Sequence, residues 1–140
     1  MSSWVSYAFL SALAASLVAI FGKLGLKGVD PVAGTFVRAV IMTGVCALAV
    51  VLFIKGGQVR TLLSGAGMWW IVASAVAGAL SWLWYFMALK GGTVTSVVAI
   101  DRLSVVFAVV LAVLVLGEQV KWIQGLGAVL VALGAFLMTR

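Results

Sequence analysis

The chain has 140 residues, of which 66% are hydrophobic and only 9% are charged. A soluble domain carries roughly a quarter charged residues. It also buries only about two-thirds of the surface that its unfolded chain exposes, which is too little to hide this much apolar area. The composition therefore excludes a soluble globular protein and predicts an all-α integral membrane protein with the lipid bilayer as its solvent.

The net charge of +6 does not indicate nucleic-acid binding, because the nine Lys and Arg residues are scattered between apolar runs. Histidine is absent and Cys46 is the only cysteine, so neither an internal disulfide nor a Cys/His metal site can form. No Ser/Cys–base arrangement is visible either. We therefore expect no enzyme, no catalytic residue, no cofactor or metal, and no nucleic-acid partner.

Five apolar runs divide the chain, each bounded by Gly, Pro or charged residues. Each has roughly 17 to 24 residues, and about 20 are needed to cross the hydrocarbon core as a helix. Lipid offers no partner for free backbone groups, so each run is predicted to be a transmembrane helix. Within one transmembrane domain covering 1–140, the predicted helices span about 4–22, 32–54, 67–89, 93–116 and 122–138.

Local signals mark two of the helix ends. Asp30 can cap free N–H groups at the start of the second helix, and Pro31 suits its first position. Gly117 ends the fourth helix, and Glu118 follows it at the expected membrane interface. There Glu118 would cap the fifth helix, form a salt bridge with Lys121, or contact a substrate.

An odd number of helices places the two termini on opposite sides of the membrane, and Lys and Arg in the loops set the orientation. One side carries Lys55, Arg60 and Lys121, and the other carries Lys23, Lys27, Lys90 and Arg140. Three positive charges against four are nearly balanced. Arg38 and Arg102 lie within helices but nearer the second side, and counting them there gives three positive charges against six. The bias is weak or ambiguous, depending on those two arginines, and a weak bias is what a chain with dual topology, inserting in both orientations, would need.

Three charged residues fall inside predicted helices, where a charge is costly unless it is paired or hydrated. Asp101 and Arg102 lie about 12 Å along the fourth helix, and Arg38 lies at a similar depth in the second. One interpretation is a buried ion pair of Asp101 with Arg38 or Arg102. The other is a binding or proton-handling site in a wet cavity, and Ser104 on the same face as Asp101 would suit it. The two interpretations are compatible.

The third helix carries a polar face and an aromatic cluster. Ser74, Gly78, Ser81 and Tyr85 recur at i, i+4, i+7 and i+11, so they share one narrow face. That face can serve helix packing or line a cavity. The cluster SWLWYF is typical of an interfacial aromatic belt, but within it Tyr85 also belongs to the polar face. The adjacent Trp82 could offer a π face to an organic or cationic substrate.

Several short elements together resemble a known family. The first is an aromatic residue followed by Ala-Leu, at Tyr85, Ala88 and Leu89, and the second is the pair Gly117-Glu118. The third is the set of glycines in the last helix, Gly125, Gly127 and Gly134. The fourth is the start of the second helix, where Asp30-Pro31 is followed by Phe36 and Arg38. Over nearly the whole chain the pattern is similar to the EamA domain of the drug/metabolite transporter superfamily. It is most similar to single-domain, five-helix bacterial and archaeal members, whose Ile-Asp-Lys-Leu-Ser element matches Ile100–Ser104. Those relatives commonly have a proline before that element, where this chain has Ala99, so no proline-kinked hinge is implied.

The resemblance implies a secondary transporter of a bacterial or archaeal plasma or inner membrane, expected to export a small organic metabolite or drug. Larger relatives carry two oppositely oriented domains in one ten-helix chain. This half-unit is therefore expected to pair as an inverted, antiparallel homodimer of ten helices, with helices one to four lining the path and the fifth supporting the dimer. The expected substrate-binding or coupling residues are Asp101, Arg102, Arg38, Tyr85, Trp82, Ser81 and Ser104.

Among these residues, Asp101 is the expected proton or cation site, the two arginines are anion contacts or partners, and Tyr85 with Trp82 forms the cavity wall. Two alternatives stay open. A small multidrug-resistance-type cation pump typically has a glutamate in its first helix, and this chain, with no acid there, would have to rely on Asp101. A non-transporting membrane subunit of a larger complex would show no flux by itself.

Overall fold

The computed structural model describes residues 3–54, 59, 61, 65 and 67–140, and the described chain is helical with no strand in those ranges. Lys55 and Arg60, two of the loop charges counted in predicting the membrane orientation, lie outside the described residues. The helices are α1 (Ser3–Gly25), α2 (Pro31–Phe53), α3 (Met68–Gly91), α4 (Val94–Asp101), α5 (Leu103–Leu116) and α6 (Trp122–Met138).

The described helices include four segments long and apolar enough to cross a membrane: α1, α2, α3, and α4 together with α5. The last helix, α6, has 17 residues, which is the lower end of the range of roughly 17 to 25 residues that span a bilayer. Large apolar side chains are exposed along every helix, as at Phe53 (82%) and Leu114 (75%). A lipid solvent accounts for that exposure, and the predicted all-α membrane class is confirmed.

Helix α2 begins where Asp30 and Pro31 predicted it to begin. The Asp30 carboxylate oxygen Oδ1 accepts hydrogen bonds from the backbone N–H groups of Val32 at 2.8 Å and Ala33 at 3.3 Å. Pro31 occupies the first helical position, where its missing N–H leaves nothing unsatisfied. Asp30 is therefore engaged in capping the membrane-spanning helix that carries Arg38.

The run predicted as one helix over 93–116 is interrupted at Arg102, which has φ −66° and ψ −12°. The Arg102 N–H still donates to the carbonyl of Val98, four residues back, at 3.2 Å. The next bond is tighter, because the Val105 N–H donates to the carbonyl of Arg102, three residues back, at 3.1 Å. A single 3₁₀-type turn thus separates α4 from α5, and it forms in a segment that contains no proline.

The connection from α5 to α6 differs in one respect from the prediction for Glu118. Gly117 ends α5 in the left-handed conformation, with φ +66°, and the Glu118 N–H donates to the carbonyl of Ala112 at 3.2 Å. Glycine favours this ending because it adopts the left-handed conformation without a steric penalty. The start of α6 is capped by Gln124, whose Oε1 accepts from the Lys121 N–H at 2.8 Å. The Glu118 side chain is exposed and, among the described residues, neither caps α6 nor pairs with Lys121.

The chain divides into two compact units, one of residues Met1–Lys23 and Gly91–Arg140 and the other of residues Leu24–Lys90. In the first unit α4 and α5 both pack against α6, and the buried residues of α4 and α6 are small: Val97, Ala99, Ala128 and Ala135. In the second unit the most buried residues lie before α2, at its first position and near the end of α3: Leu26, Pro31, Phe86 and Leu89.

Candidate functional site

Four side chains of the second unit form a cluster inside two membrane-spanning helices. We call Arg38 of α2 with Trp82, Tyr85 and Phe86 of α3 the arginine–aromatic cluster. The guanidinium carbon Cζ of Arg38 lies 3.4 Å from the centroid of the Trp82 ring and 5.6 Å from that of Phe86. Both distances are within the range of about 6 Å at which a cation is attracted to an aromatic face. The Arg38 guanidinium thus lies over the face of the Trp82 ring, with the Phe86 ring beside it.

The ring packing of α3 holds Trp82 in place. Trp82 meets Tyr85 edge-to-face, with centroids 5.4 Å apart and planes at 80°. It meets Phe86 in the same manner, at 5.9 Å and 85°. Edge-to-face contacts of this kind are favoured by the quadrupoles of the rings. Two neighbours on its own helix therefore restrain the indole that receives the cation.

Gly34 provides the space that this arrangement needs. It lies four residues before Arg38, on the same side of α2. A Cβ atom at this position would lie 3.0 Å from Cδ2 of Leu26 and 3.9 Å from Cδ2 of Phe86. The first distance is tighter than an ordinary van der Waals contact, so a larger residue would press on the buried side chains that support the cluster.

The sequence pointed to three members of this cluster but not to the fourth. Arg38, Trp82 and Tyr85 were all predicted site residues, and the structure brings them together. Phe86 is not among the predicted site residues, yet it is 5% exposed and contacts both Arg38 and Trp82. Its spacing of four residues from Trp82 was the available signal, since i and i+4 share a helix face.

The predicted polar face of α3 is only partly enclosed. Gly78 and Tyr85 are partly buried, whereas Ser74 and Ser81 are exposed. Ser81 is thus an exposed residue, although it adjoins Trp82 in sequence. Its predicted role in a cavity stays a prediction.

A second group of predicted residues lies in the other unit, at the α4–α5 junction. Asp101 ends α4 and is partly buried, while Arg102 in the junction and Ser104 in the first turn of α5 are exposed. Within the described residues of this unit, Asp101 and Arg102 form no ion pair. The predicted pairing of Asp101 with Arg38 stays a prediction.

Hydrogen bonds tie the start of α4 to its surroundings in the same unit. Thr93 caps α4 by accepting from the Ser96 N–H at 3.3 Å, and its hydroxyl also donates to the Ser96 hydroxyl at 2.9 Å. The Lys23 ammonium, near the end of α1, donates to the carbonyl of Gly92 at 2.7 Å. Lys23 therefore anchors the connection before α4, a role that its loop position in the sequence did not reveal.

The described residues offer few side chains that could coordinate a metal ion. Among the described residues there is no group of three or more His, Cys, Asp or Glu side chains that could hold a metal. The arginine–aromatic cluster contains a cation and π faces instead, which is suited to bind an organic molecule rather than a metal ion.

The helices define a multi-pass integral protein of the cell membrane, with charged and aromatic side chains inside its spans. The model of the EamA-like transporter family matches residues 2–140. A Sinorhizobium sp. protein described as "Uncharacterized transporter in cobO 3'region" is 34% identical over 137 residues, which cover 97% of this chain and 96% of that protein. No solved structure matches the chain. The chain belongs to the EamA-like transporter family and is a membrane transporter, and the predicted resemblance is confirmed.

Proposed function

We propose that the chain is a secondary transporter that exports small organic metabolites or drugs and works as an antiparallel homodimer of two five-helix units. The observation that carries this proposal is the arginine–aromatic cluster, in which a partly buried arginine of a membrane-spanning helix lies on a tryptophan face. A charge within a span is expensive, and such charges mark the pathways of solutes and ions. Membership in a transporter family supports the same conclusion.

Dimer formation is supported by the match of residues 2–140 to the EamA-like family and by the surface of α6. One five-helix unit corresponds to half of the repeat architecture in which a substrate site forms between two inverted halves. The glycines of α6 have open space in front of them, since a Cβ at Gly125, Gly127 or Gly134 would meet nothing within 4 Å. Small residues with open space allow close approach of another helix in lipid. Gly127 and Gly134 are seven residues apart and share one face of α6, so that face suits a contact with a second copy, whereas Gly125 lies on the other side of the helix.

Asp101 is our candidate for the proton or cation site. It is the acid of a membrane-spanning segment, it is partly buried, and it lies beside the tightened turn between α4 and α5. A carboxylate that exchanges a proton with each cycle would couple solute export to the proton gradient. Ser104 and Arg102, one turn and one residue away, are its nearest polar neighbours in sequence.

Proteoliposomes that contain only the purified chain test transport and coupling together. A screen of amino acids, sugars, organic acids and quaternary amines on a solid-supported membrane should reveal a solute that moves in response to a pH gradient. Asp101→Asn should lose the dependence on that gradient, whereas Asp30→Asn should keep it because an asparagine still caps α2. If Asp101→Asn transports at the full rate with the wild-type response, the proton role is wrong. No flux of any solute would favour the non-transporting subunit.

Labelling of the termini tests the inverted dimer. Cys46 is exposed and must first be replaced by serine. A cysteine is then introduced at Ser3 or at Thr139, and intact cells are treated with a membrane-impermeant maleimide. Dual orientation predicts that each terminus is labelled in part from outside and completely after permeabilisation. If one terminus is labelled completely in intact cells and the other only after permeabilisation, each terminus lies on a single side of the membrane, which would contradict the dual orientation.

A further inference from the structure

We infer that the transported solute is an organic anion whose oxyanion group, a carboxylate in the simplest case, binds the guanidinium of Arg38. Its apolar body would lie against the rings of the arginine–aromatic cluster. The inference rests on the proposed transport function and adds the chemical class of the substrate to it.

The charge of Arg38 has no carboxylate partner within its own unit. Asp30 is the only acid between Leu24 and Lys90. Its Oδ1 accepts two backbone N–H groups at the start of α2, and eight helical residues place it about 12 Å from Arg38 along the axis. A cation–π contact offsets only part of the cost of a charge in a membrane span. The unit therefore presents a positive charge that an anion from outside it can neutralise.

The stacking geometry leaves the hydrogen-bond donors of Arg38 available. With Cζ 3.4 Å from the ring centroid, the guanidinium is in contact with the face of Trp82. Its N–H groups lie in the guanidinium plane, in a fork that matches the two oxygens of a carboxylate. Among the described residues, no atom accepts a hydrogen bond from Arg38. Trp82 thus positions the guanidinium of Arg38 through a face contact and leaves its N–H groups available to an anion.

The position of Arg38 favours a solute over a lipid headgroup as the source of the anion. Arg38 lies seven residues after Pro31, the first residue of the span, or about 10 Å along the helix. That depth is below the level at which headgroup phosphates lie. The partly buried rings of Trp82 and Tyr85 would provide apolar surface for an aromatic or other apolar body, which a headgroup lacks.

The test compares three probes of similar shape: benzoate, benzamide and benzyltrimethylammonium. The full chain is purified and reconstituted, and thermal stability and counterflow are measured for each probe. Benzoate should raise the unfolding temperature and exchange across the membrane, with at least tenfold weaker effects of the amide and the cation. Arg38→Gln should weaken the benzoate response at least tenfold, and Arg38→Lys should give an intermediate loss because the charge stays but the fork is removed.

A matched control separates the cluster from general effects on the helix. Trp84→Phe alters a tryptophan of α3 that is 63% exposed, and it should leave the benzoate response unchanged, whereas Trp82→Phe should weaken it. If Arg38→Gln does not fold, the comparison of Arg38→Lys with wild type decides the matter, since a purely structural arginine would not alter the preference for benzoate over benzamide.

The remaining outcomes separate the inference from the proposed function. Transport of benzamide or the cation as well as benzoate, or an unchanged anion preference in Arg38→Lys, would overturn the inference while transport itself stands. Loss of the benzoate response of the wild-type chain when anionic phosphatidylglycerol replaces zwitterionic phosphatidylcholine would show that an anionic lipid headgroup occupies the site, and this would also overturn the inference. No flux and no thermal shift with any probe or any solute of the broader screen would overturn both.

Discussion

The contact between Arg38 and Trp82 predicts a measurable energetic coupling. Cation–π pairs contribute about 0.5–1 kcal/mol at exposed sites and about 2 kcal/mol or more when desolvated. Arg38 is partly buried and its Cζ lies 3.4 Å from the Trp82 centroid, so we expect a coupling of about 1–2 kcal/mol. The perturbation is a double-mutant cycle of Arg38→Met and Trp82→Leu. Arg38→Met alone is ambiguous, because it removes both the pair and a costly charge, but the cycle isolates the pairwise contribution.

Reversible unfolding of the purified chain in mixed micelles of detergent and SDS supplies the four free energies of unfolding. The control is the same cycle with Trp84→Leu, since among the described residues Trp84 makes no ring or cation contact. Its coupling with Arg38 should be zero within about 0.3–0.5 kcal/mol. Equal couplings for the two tryptophans, or a Trp82 coupling inside that error, would refute the stacked arrangement.

Three further predictions concern the stability of the helices, measured in the same unfolding assay. Asp30→Ala should lower the free energy of unfolding by about 1 kcal/mol because two capped N–H groups lose their acceptor, whereas Asp30→Asn should change it little. Gly117→Ala should cost about 1–2 kcal/mol at φ +66°, while Gly125→Ala, helical and with open space, should be neutral or stabilising. Gly34→Val should lose about 1–3 kcal/mol relative to Gly44→Val, because only the first Cβ meets a neighbour, at 3.0 Å. Equal effects within any of these pairs would contradict the corresponding local structure.

Much of the secondary structure was predictable because its causes are local. The cap at Asp30 joins atoms two and three residues apart, and the left-handed Gly117 ends its helix with a bond from the Glu118 N–H to the carbonyl of Ala112, six residues back. The interruption at Arg102 was not predicted, although it is equally local, because the expectation of a break was tied to a proline that this chain lacks. A single 3₁₀ turn needs no proline and leaves no clear composition signal.

The candidate site was predictable as separate residues and not as an arrangement. Arg38 and Trp82 were notable in the sequence because a charge and an aromatic ring within apolar runs each suggest a function. Their contact joins two helices, and the sequence left the partner of Arg38 open among acids, water and substrate. Phe86 shows the same limit, since a buried aromatic residue and a lipid-facing one look alike in a segment such as SWLWYF.

The amino-acid sequence alone determined the solvent of this protein and its division into apolar helices, because composition and run length decide whether a segment enters lipid. Only the tertiary structure decided that Arg38 lies on Trp82, with Phe86 alongside and Gly34 making room. In a soluble helix, the apolar stripe shows which face is inward. In lipid both faces are apolar and association depends on close packing rather than on hydrophobic burial, so the sequence pattern does not show which faces meet.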